Sequence, residues 1–337
     1  MKVCIVGAGA IGGWIGSRLS AAGVEVSAIA RGATLAALCE NGWRMHTAEG
    51  LVTGPLAAAS DKAADLGVQD LVVIAVKGQA LSSAAAGLRP LFGPATVVLP
   101  AMNGVPWWFC QGLPGFDVPL ESVDPGGIVE RTIPFERVMG CVVHASTATS
   151  EPGLVHHQGG NGLIVGDAIG GESERARRVV ELLQRGGFDV KHSANVRQDI
   201  WYKLWGNLTM NPISALTGAT IDRVLADPLV RGFCSQAMLE AQAIGAGVGC
   251  AIDEAPEARH AITARLGAFK TSMLQDVEAG RAIELDAIVG AVSEIGSRLG
   301  LAMPHIHALL GLTRLMARVR GLYPEASDRA TATAKTG

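Results

Sequence analysis

Residues 1–31 constrain the fold of this chain more than any other stretch. An apolar, β-branched run at 3–6 is followed by a glycine-rich turn, a helix-like segment at 10–22 and a second apolar run at 24–30. The turn is Gly7-Ala8-Gly9-Ala10-Ile11-Gly12. Its first glycine allows a tight turn, the second lets a pyrophosphate approach the backbone, and the third lets the helix pack on the strand. The stretch therefore predicts a βαβ unit with a dinucleotide bound at the amino end of its first helix.

The residue after the second strand bears on which dinucleotide binds. NAD-dependent units commonly carry an acid there for the ribose 2′-hydroxyl, whereas an arginine suits the extra phosphate of NADP. This strand ends as Ile29-Ala30-Arg31-Gly32, without an acid. We therefore predict NADP, with Arg31 on its 2′-phosphate. The alternative is a solvated surface arginine.

Length, charge and cysteine pattern narrow the class of protein. At 337 residues the chain is long for one core and suits two domains. Its net charge of −3 argues against nucleic-acid and anionic-membrane partners. We expect no membrane-spanning helix and no signal peptide, because no apolar run approaches ~18 residues and the chain leads directly into a strand. Six cysteines without CxxC pairing predict reduced, buried thiols and a cytoplasmic location.

Two further apolar runs, at 71–76 and 95–99, predict parallel strands buried on both faces. Lys77 follows the first run directly, and Asn103 follows the second. Ligands of open α/β sheets lie at the carboxyl edge of the strands, so both side chains are candidates for cofactor or substrate contacts. A solvated loop lysine is the alternative for Lys77.

The segment 105–134 has no strong period and predicts a long loop beside the site. Its aromatic residues Trp107, Trp108 and Phe109 can line a pocket, form an oligomer contact or pack in the core. His156 and His157 are adjacent in a predicted strand, so their rings point to opposite faces, and we expect no metal site there. The remaining elements predicted for this domain are strands at 137–147, 153–157, 162–165 and 188–190, and a helix at 172–185.

Beyond Asn195 the pattern changes to helices alone, predicted at 200–216, 229–247, 255–279, 285–300 and 304–319. The change predicts an α/β fold in which a Rossmann-type dinucleotide-binding domain, 1–194, precedes an all-α domain, 195–322. The all-α domain is assigned to substrate binding and dimerisation. The polar tail, 323–337, is predicted to be disordered.

A polar stripe runs along the first helix of the all-α domain. Lys203, Asn207 and Asn211 are spaced four apart among largely apolar neighbours, so they share one helix face. A buried stripe of this kind is costly unless its groups are paired or hold a polar ligand. A ligand with a carboxylate and a carbonyl would satisfy all three side chains. The alternative is a solvent-facing stripe on an amphipathic helix.

A second polar signal lies in residues 270–286. Ala279-Gly280 is typical of a helix end, and Glu284 stands at the start of the next helix. The helix dipole alone favours a carboxylate in that position, so Glu284 has a structural explanation as well as a functional one.

These motifs together resemble the ketopantoate reductase (2-dehydropantoate 2-reductase) family over most of the chain. The matching features are the GAGAIG turn, Lys77, Asn103-Gly104, the Lys203/Asn207/Asn211-Pro212 helix and the segment from Ser272 to Asp286. The resemblance implies NADPH-dependent reduction of a 2-oxo acid to a 2-hydroxy acid. It also implies a Rossmann domain, a helical domain and a site in the cleft between them.

The resemblance implies a role for each matched residue. Lys203 resembles the proton donor, and Glu284 resembles a glutamate that touches the cofactor ribose and sets the site electrostatically; both are assigned as catalytic. The residues implied to hold the substrate are Asn103, Asn207, Asn211 and Ser272. The residues implied to contact NADPH are Gly7, Ala8, Gly9, Ala10, Ile11, Gly12, Arg31, Lys77, Asn103 and Glu284.

Three functions fit these patterns. The first is reduction of ketopantoate to pantoate in pantothenate biosynthesis. The second is reduction of a different, bulkier keto acid, because the 105–134 loop and Gly218–Ile221 depart from the family pattern on the substrate side. The third is a non-catalytic NADP sensor, against which Lys203 and Glu284 argue. The expected partner is a small-molecule keto acid, and a homodimer is compatible with the sequence.

Overall fold

The computed structural model describes residues 1–325 and divides into two compact units. The first unit contains Met1–Phe109 and Ile128–Ile200, and the second contains Cys110–Gly127 and the described residues from Trp201 onward. The predicted domains, 1–194 and 195–322, were continuous in sequence; the compact units differ because residues 110–127 pack with the helical part. Residues 326–337, most of the tail predicted to be disordered, lie outside the described residues.

The helices and strands follow in chain order. The strands are β1 Lys2–Val6, β2 Glu25–Ile29, β3 Trp43–Thr47, β4 Gly50–Gly54, β5 Ala59–Ser60, β6 Gln69–Ile74, β7 Phe92–Pro100, β8 Met139–Glu151, β9 Leu154–Asp167 and β10 Asp189–His192. The helices are α1 Ala10–Ala21, α2 Gly32–Asn41, α3 Gly78–Ala85, α4 Ile128–Thr132, α5 Glu174–Arg185, α6 Val196–Thr217, α7 Ile221–Ala226, α8 Pro228–Gly247, α9 Pro256–Ala264, α10 Ser272–Glu278, α11 Ala291–Arg298 and α12 Pro304–Val319.

A parallel sheet forms the centre of the first unit, with strand order β5-β2-β1-β6-β7. In β1, Val3 is aligned with Val26 of β2 on one side and with Leu71 of β6 on the other. These strands are buried, which explains why they are apolar at nearly every position. The sheet confirms the predicted α/β, Rossmann-type fold of the N-terminal part.

A second sheet in the first unit has the order β10-β9-β3-β4, with β8 also paired to β9. The hairpin β3–β4 was not predicted from the sequence. The prediction of two short strands at 153–157 and 162–165 was wrong, because β9 is one strand of 14 residues. Irregular pairing around Ser146 of β8 accommodates the glycines that suggested a turn.

The aromatic residues of the 105–134 segment pack in the core of the first unit. Trp107, Trp108 and Phe109 are 2%, 0% and 0% exposed, and the Trp108 ring lies 6.4 Å from that of Phe135. Of the three alternatives raised by the sequence, the structure supports core packing. The segment is also less irregular than predicted, since it contains α4.

The described residues of the second unit form helices, turns and loops, without a strand. The single helix predicted at 255–279 was wrong: α9 ends at Ala264 and α10 begins at Ser272. Gly267 between them has a φ of +62°, which an α-helix does not allow. The Thr271 side chain then caps α10 by accepting a hydrogen bond from the Leu274 amide at 3.2 Å. A π-helical turn, Asp286–Gly290, precedes α11.

Glu294 and Arg298 of α11 attach residues 110–127 to the helical unit. The Glu294 carboxylate accepts hydrogen bonds from the Glu121 amide at 3.0 Å and the Ser122 amide at 2.8 Å. Arg298 donates to the carbonyl of Val118 at 2.7 Å and pairs with Glu294 at 2.6 Å. Burial alone would raise the pKa of Glu294, but hydrogen bonds from Ser122, Glu121 and Arg298 outweigh it and lower the pKa.

Within residues 1–325, none of the helices combines the length and the apolar character that crossing a membrane requires.

Candidate functional site

The glycine turn after β1 is shaped by two positions that exclude any side chain. Gly7 has a φ of +92°, and a β-carbon there would lie 2.6 Å from Val76 Cγ1. A β-carbon on Gly12 would lie 2.0 Å from the Gly7 carbonyl oxygen. The Gly7 amide also donates to the Ile29 carbonyl at 3.0 Å, which ties the turn to the end of β2. The first and third glycines therefore have the packing roles that the motif predicted.

Gly9 is different, because it faces open space. It is the N-cap of α1, no side chain caps this helix end, and no atom lies within 4 Å of the position where a β-carbon would be. The first-turn amides of a helix lack partners within the helix and carry its positive partial charge. An open backbone surface at such a helix end fits the pyrophosphate of a dinucleotide.

A cavity of about 640 Å³ opens beside this turn within the first unit. Of the predicted cofactor residues, Gly7, Ala8, Gly9 and Arg31 line it. Ala10, Ile11 and Gly12 form the first turn of α1. The other lining residues are Val6, Ile29, Ala30, Thr34, Asp61, Lys62, Ala63, Ala64, Val76, Ala80, Ser83, Ala84, Gly87, Leu88 and Pro90. A mostly apolar cavity with a few charged groups and this volume is typical of a small-molecule site.

Asp61 and Lys62 were missed by the sequence argument. They follow β5, a strand of two residues that was not predicted from the sequence. The signal available was the short apolar run at 56–59 just before them. So short a run does not by itself predict a strand; it becomes one because it pairs with the edge of β2.

Lys77 and Asn103 lie after the carboxyl ends of the neighbouring strands β6 and β7. Lys77 is the N-cap of α3, and both residues are half-buried. Neither lines the cavity beside the glycine turn. Their positions at the sheet edge agree with the expected ones, whereas their contacts with cofactor and substrate stay predictions.

The polar stripe of α6 changes in burial along the helix. Lys203 and Asn207 are half-buried, and Asn211 is only 5% exposed. The residues flanking the stripe, Trp201, Leu204, Trp205 and Leu208, are all buried. The stripe is not fully exposed to solvent, because the side chain of Asn211, its last residue, is buried. The arrangement can present an ammonium and two amides to a polar ligand.

Ser272 and Glu284 belong to the same helical unit as this stripe. Ser272 is the exposed first residue of α10, and Glu284 is half-buried immediately before the helical turn that begins at Leu285. A π-helical turn next to Glu284 is the kind of irregularity that is frequent at functional sites. That Lys203, Ser272 and Glu284 serve one substrate stays a prediction.

The two adjacent histidines contact different partners. The ring of His156 stacks on His46 with centroids 5.1 Å apart, and His157 stacks on Trp14 at 5.8 Å. Among the described residues, no group of three or more His, Cys, Asp and Glu side chains is placed to hold a metal ion.

None of the six cysteines, all of which lie within the described residues, forms a disulfide. Five are buried as expected, but Cys39 is exposed, because it lies on the outer face of α2. Burial raises the pKa of Cys4 to about 12, and that of Cys234 to about 12 as well. These two thiols are therefore protonated and unreactive at neutral pH.

The family model described as "Ketopantoate reductase PanE/ApbA" matches residues 3–170, and "Ketopantoate reductase PanE/ApbA C terminal" matches residues 195–317. A 2-dehydropantoate 2-reductase from Mesorhizobium japonicum is 42% identical over 96% of this chain and 100% of that protein.

Solved structures agree with these sequence comparisons. The crystal structure of a protein assigned as a ketopantoate reductase, from Ralstonia solanacearum MolK2, has a TM-score of 0.92 and 50% identity, covering 96% of this chain and 99% of that one. D-mandelate dehydrogenase, in a ternary structure with NADH and anilino(oxo)acetate, shares the fold with a TM-score of 0.82 at 21% identity, covering 96% and 100%. The chain belongs to the ketopantoate reductase family, a family of nicotinamide-dependent oxidoreductases.

Proposed function

We propose that the protein catalyses the NADPH-dependent reduction of 2-dehydropantoate (ketopantoate) to pantoate in pantothenate biosynthesis. The observation that carries the proposal is the cavity beside the glycine turn, which Arg31 lines at the position where NAD-dependent units carry an acid. Family membership and the 42% identical relative named 2-dehydropantoate 2-reductase support the substrate.

The first unit supplies the cofactor site in this proposal. The amino end of α1 and the open backbone at Gly9 bind the pyrophosphate. Arg31 binds the 2′-phosphate by a charge-assisted hydrogen bond. Lys77 and Asn103, at the carboxyl edge of the sheet, contact the part of the cofactor nearer the nicotinamide. Bound NADPH supplies a hydride to the keto carbon of the substrate.

The second unit supplies the proton and the substrate contacts. As the carbonyl π-bond breaks, negative charge develops on the substrate oxygen, and the Lys203 ammonium stabilises this charge and gives its proton to that oxygen. Lys203 is left as a neutral amine, which water reprotonates. Asn207, Asn211 and Ser272 hold the substrate carboxylate and hydroxyl. Glu284 contacts the cofactor ribose and balances the charge of the lysine.

A second candidate is a bulkier 2-oxo acid. The helical unit includes residues 110–127, which Glu294 and Arg298 fix in place, and it carries Gly218–Ile221 where an additional substrate amide was expected. Both features belong to the unit that holds Lys203, so they bear on the substrate and leave the cofactor site unchanged.

We also propose that the protein is a homodimer and is located in the cytoplasm. Leu312, Leu315 and Val319 on one side of α12 are 59%, 61% and 80% exposed, and a second copy would cover them. Cysteines that form no disulfide suit a reducing compartment. Light scattering on the purified protein tests the dimer, with Leu315→Glu expected to give a monomer. A monomeric wild-type protein would exclude it.

Oxidation of NADPH followed by absorbance tests the function. Wild-type protein is assayed with ketopantoate and a panel of other 2-oxo acids, and with NADPH or NADH. We expect ketopantoate turnover with a kcat/KM of about 10⁴ M⁻¹s⁻¹ or higher, and loss of the NADPH preference in Arg31→Ala. Turnover of other acids alone would favour the second candidate. NADPH binding without any turnover would indicate a sensor.

A further inference from the structure

The end of β5 places a second cation at the same edge of the sheet as Arg31. Strand β5 pairs in parallel with β2, with Ile29 aligned to Ser60. The Ala30 amide continues this pairing by donating to the Ser60 carbonyl at 3.1 Å. Arg31 lies two residues beyond Ile29, and Lys62 lies two residues beyond Ser60. Both side chains line the same cavity.

The backbone at Lys62 is held in place by local hydrogen bonds. The Lys62 amide donates to Ser60 Oγ at 3.0 Å, and that hydroxyl donates to Asp65 Oδ2 at 2.5 Å. Lys62 is also the N-cap of the 3₁₀ turn Ala63–Asp65. Its exposed side chain therefore extends from a fixed point at the cavity wall.

The charges on the cavity wall indicate a role for Lys62 beside Arg31. Three charged side chains line the cavity, Arg31, Asp61 and Lys62. Arg31 and Asp61 together carry no net formal charge, so the carboxylate offsets part of the attraction between Arg31 and a phosphate. Lys62 gives the wall its positive excess. A phosphomonoester carries about −1.5 to −2 charge at pH 7, whereas the hydroxyl it replaces is neutral.

We propose that Lys62 determines cofactor specificity by binding the ribose 2′-phosphate of NADPH together with Arg31. The inference rests on the NADPH use proposed above and assigns a new residue to it. Lys62 acts as a mobile point charge on the phosphate, while Arg31 provides the planar, directional contact. Asp61 lowers the affinity for the phosphate, so its removal strengthens the preference for NADPH.

The test compares dissociation constants for NADPH and NADH, measured by fluorescence titration, in wild type, Lys62→Ala, Lys62→Arg and Asp61→Asn. Competition by 2′,5′-ADP and 5′-AMP isolates the adenosine end. Lys62→Ala is expected to lose about tenfold in NADPH over NADH preference, the loss of one charge-assisted contact. Lys62→Arg retains most of the preference, and Asp61→Asn increases it. Lys2→Ala, which removes an exposed lysine at the amino end of β1, is the matched control.

The outcomes separate this inference from the proposed function. If wild type prefers NADPH and Lys62→Ala keeps the full preference, Lys62 has no such role, and NADPH use stands. An equal loss of affinity for NADPH and NADH in Lys62→Ala also overturns the inference, because the lysine would then contact a group that both cofactors share. If wild type shows no preference for NADPH, the proposed cofactor fails and this inference fails with it.

Discussion

The two units of this protein hold their functional groups in different ways. In the first unit, the candidate cofactor site is made largely of backbone: a glycine turn, the end of a helix and the edge of a parallel sheet. In the second, the candidate substrate site is made of side chains on helices, from Lys203 to Glu284. A backbone site depends on a few positions that tolerate no substitution, whereas a side-chain site can change ligand with little change in fold.

The difference predicts that the two sites fail differently when mutated. Damage to the glycine turn should affect cofactor binding or folding and leave the substrate side unchanged. Damage to the α6 stripe should affect turnover and leave cofactor binding unchanged.

The largest effect is expected for Lys203→Ala. Loss of a positioned general acid typically lowers a rate by about 10²- to 10⁴-fold, and we expect kcat to fall within this range. Steady-state assays with ketopantoate and NADPH measure it. Lys270→Ala is the matched control, since Lys270 is an exposed lysine of the same unit that pairs with Glu278 at 2.7 Å. Equal losses in the two variants would contradict the assignment of Lys203.

The second-largest effect is expected for Gly9→Asp. The space at Gly9 is open, so the variant should fold, but its carboxylate would stand in the proposed pyrophosphate site. We expect NADPH affinity to fall by about 100-fold, the effect of about 2.7 kcal/mol of like-charge repulsion. Titration of cofactor fluorescence measures it. A variant that melts normally and binds NADPH normally would show that the cofactor lies elsewhere.

Gly12→Ala should lower the free energy of unfolding, whereas substitutions of Gly9 should not. Its β-carbon would lie 2.0 Å from a backbone oxygen, so the turn or α1 must shift. Overpacking outweighs the better helix propensity of alanine, and we expect a loss of about 2 kcal/mol in the free energy of unfolding. Gly9→Ala is the control and should unfold within about 1 kcal/mol of wild type. Denaturant unfolding measures the free energy of unfolding of both variants, and equal values would contradict the different packing of Gly9 and Gly12.

Glu294→Gln should destabilise the helical unit by the same amount as Gly12→Ala destabilises the first unit, or by less. Removing the charge weakens the hydrogen bonds to residues 121 and 122, and we expect a loss of about 1.5 to 2 kcal/mol at pH 7. The lowered pKa of Glu294 means that its contribution is complete above the unfolded value of about 4.3 and disappears as pH falls through the folded value. The stability difference between wild type and variant should therefore shrink in acid. A constant difference down to pH 2.5 would contradict this account.

The smallest effect concerns thiol chemistry. Brief treatment of the native protein with iodoacetamide should modify Cys39, the exposed cysteine, and leave Cys4 and Cys234 intact, because burial keeps these two thiols protonated. Peptide mass spectrometry locates the label. Early labelling of Cys4 would show that the first sheet opens readily.

The elements that the sequence predicted best are those with a strong local signal. The run from β1 to β2 and the helix pattern of α12 follow directly from periodicity and glycine placement. The break between α9 and α10 was missed because Gly267 and the Thr271 cap lie in a stretch of good helical composition. The short strand β5 was missed because it is a strand only through its pairing with β2.

The residues of the candidate site also divide into those with a local signal in the sequence and those placed by tertiary contacts. The glycine turn and Arg31 are local in sequence and could be assigned from it. Lys62 could not, because its place beside Arg31 depends on the register of two strands. Residues 110–127 belong to the helical unit through contacts with Glu294 and Arg298, which lie 173 to 180 positions away, and no local pattern predicts such a contact.

The most direct test of the account is NADPH binding by Lys203→Ala, measured by fluorescence titration on the same preparation used for turnover. If the lysine of the helical unit gives the proton and the glycine-rich unit binds the cofactor, the dissociation constant should stay within about twofold of wild type while turnover is lost. Loss of NADPH binding in parallel with turnover, or retention of both, would contradict the division of roles between the two units.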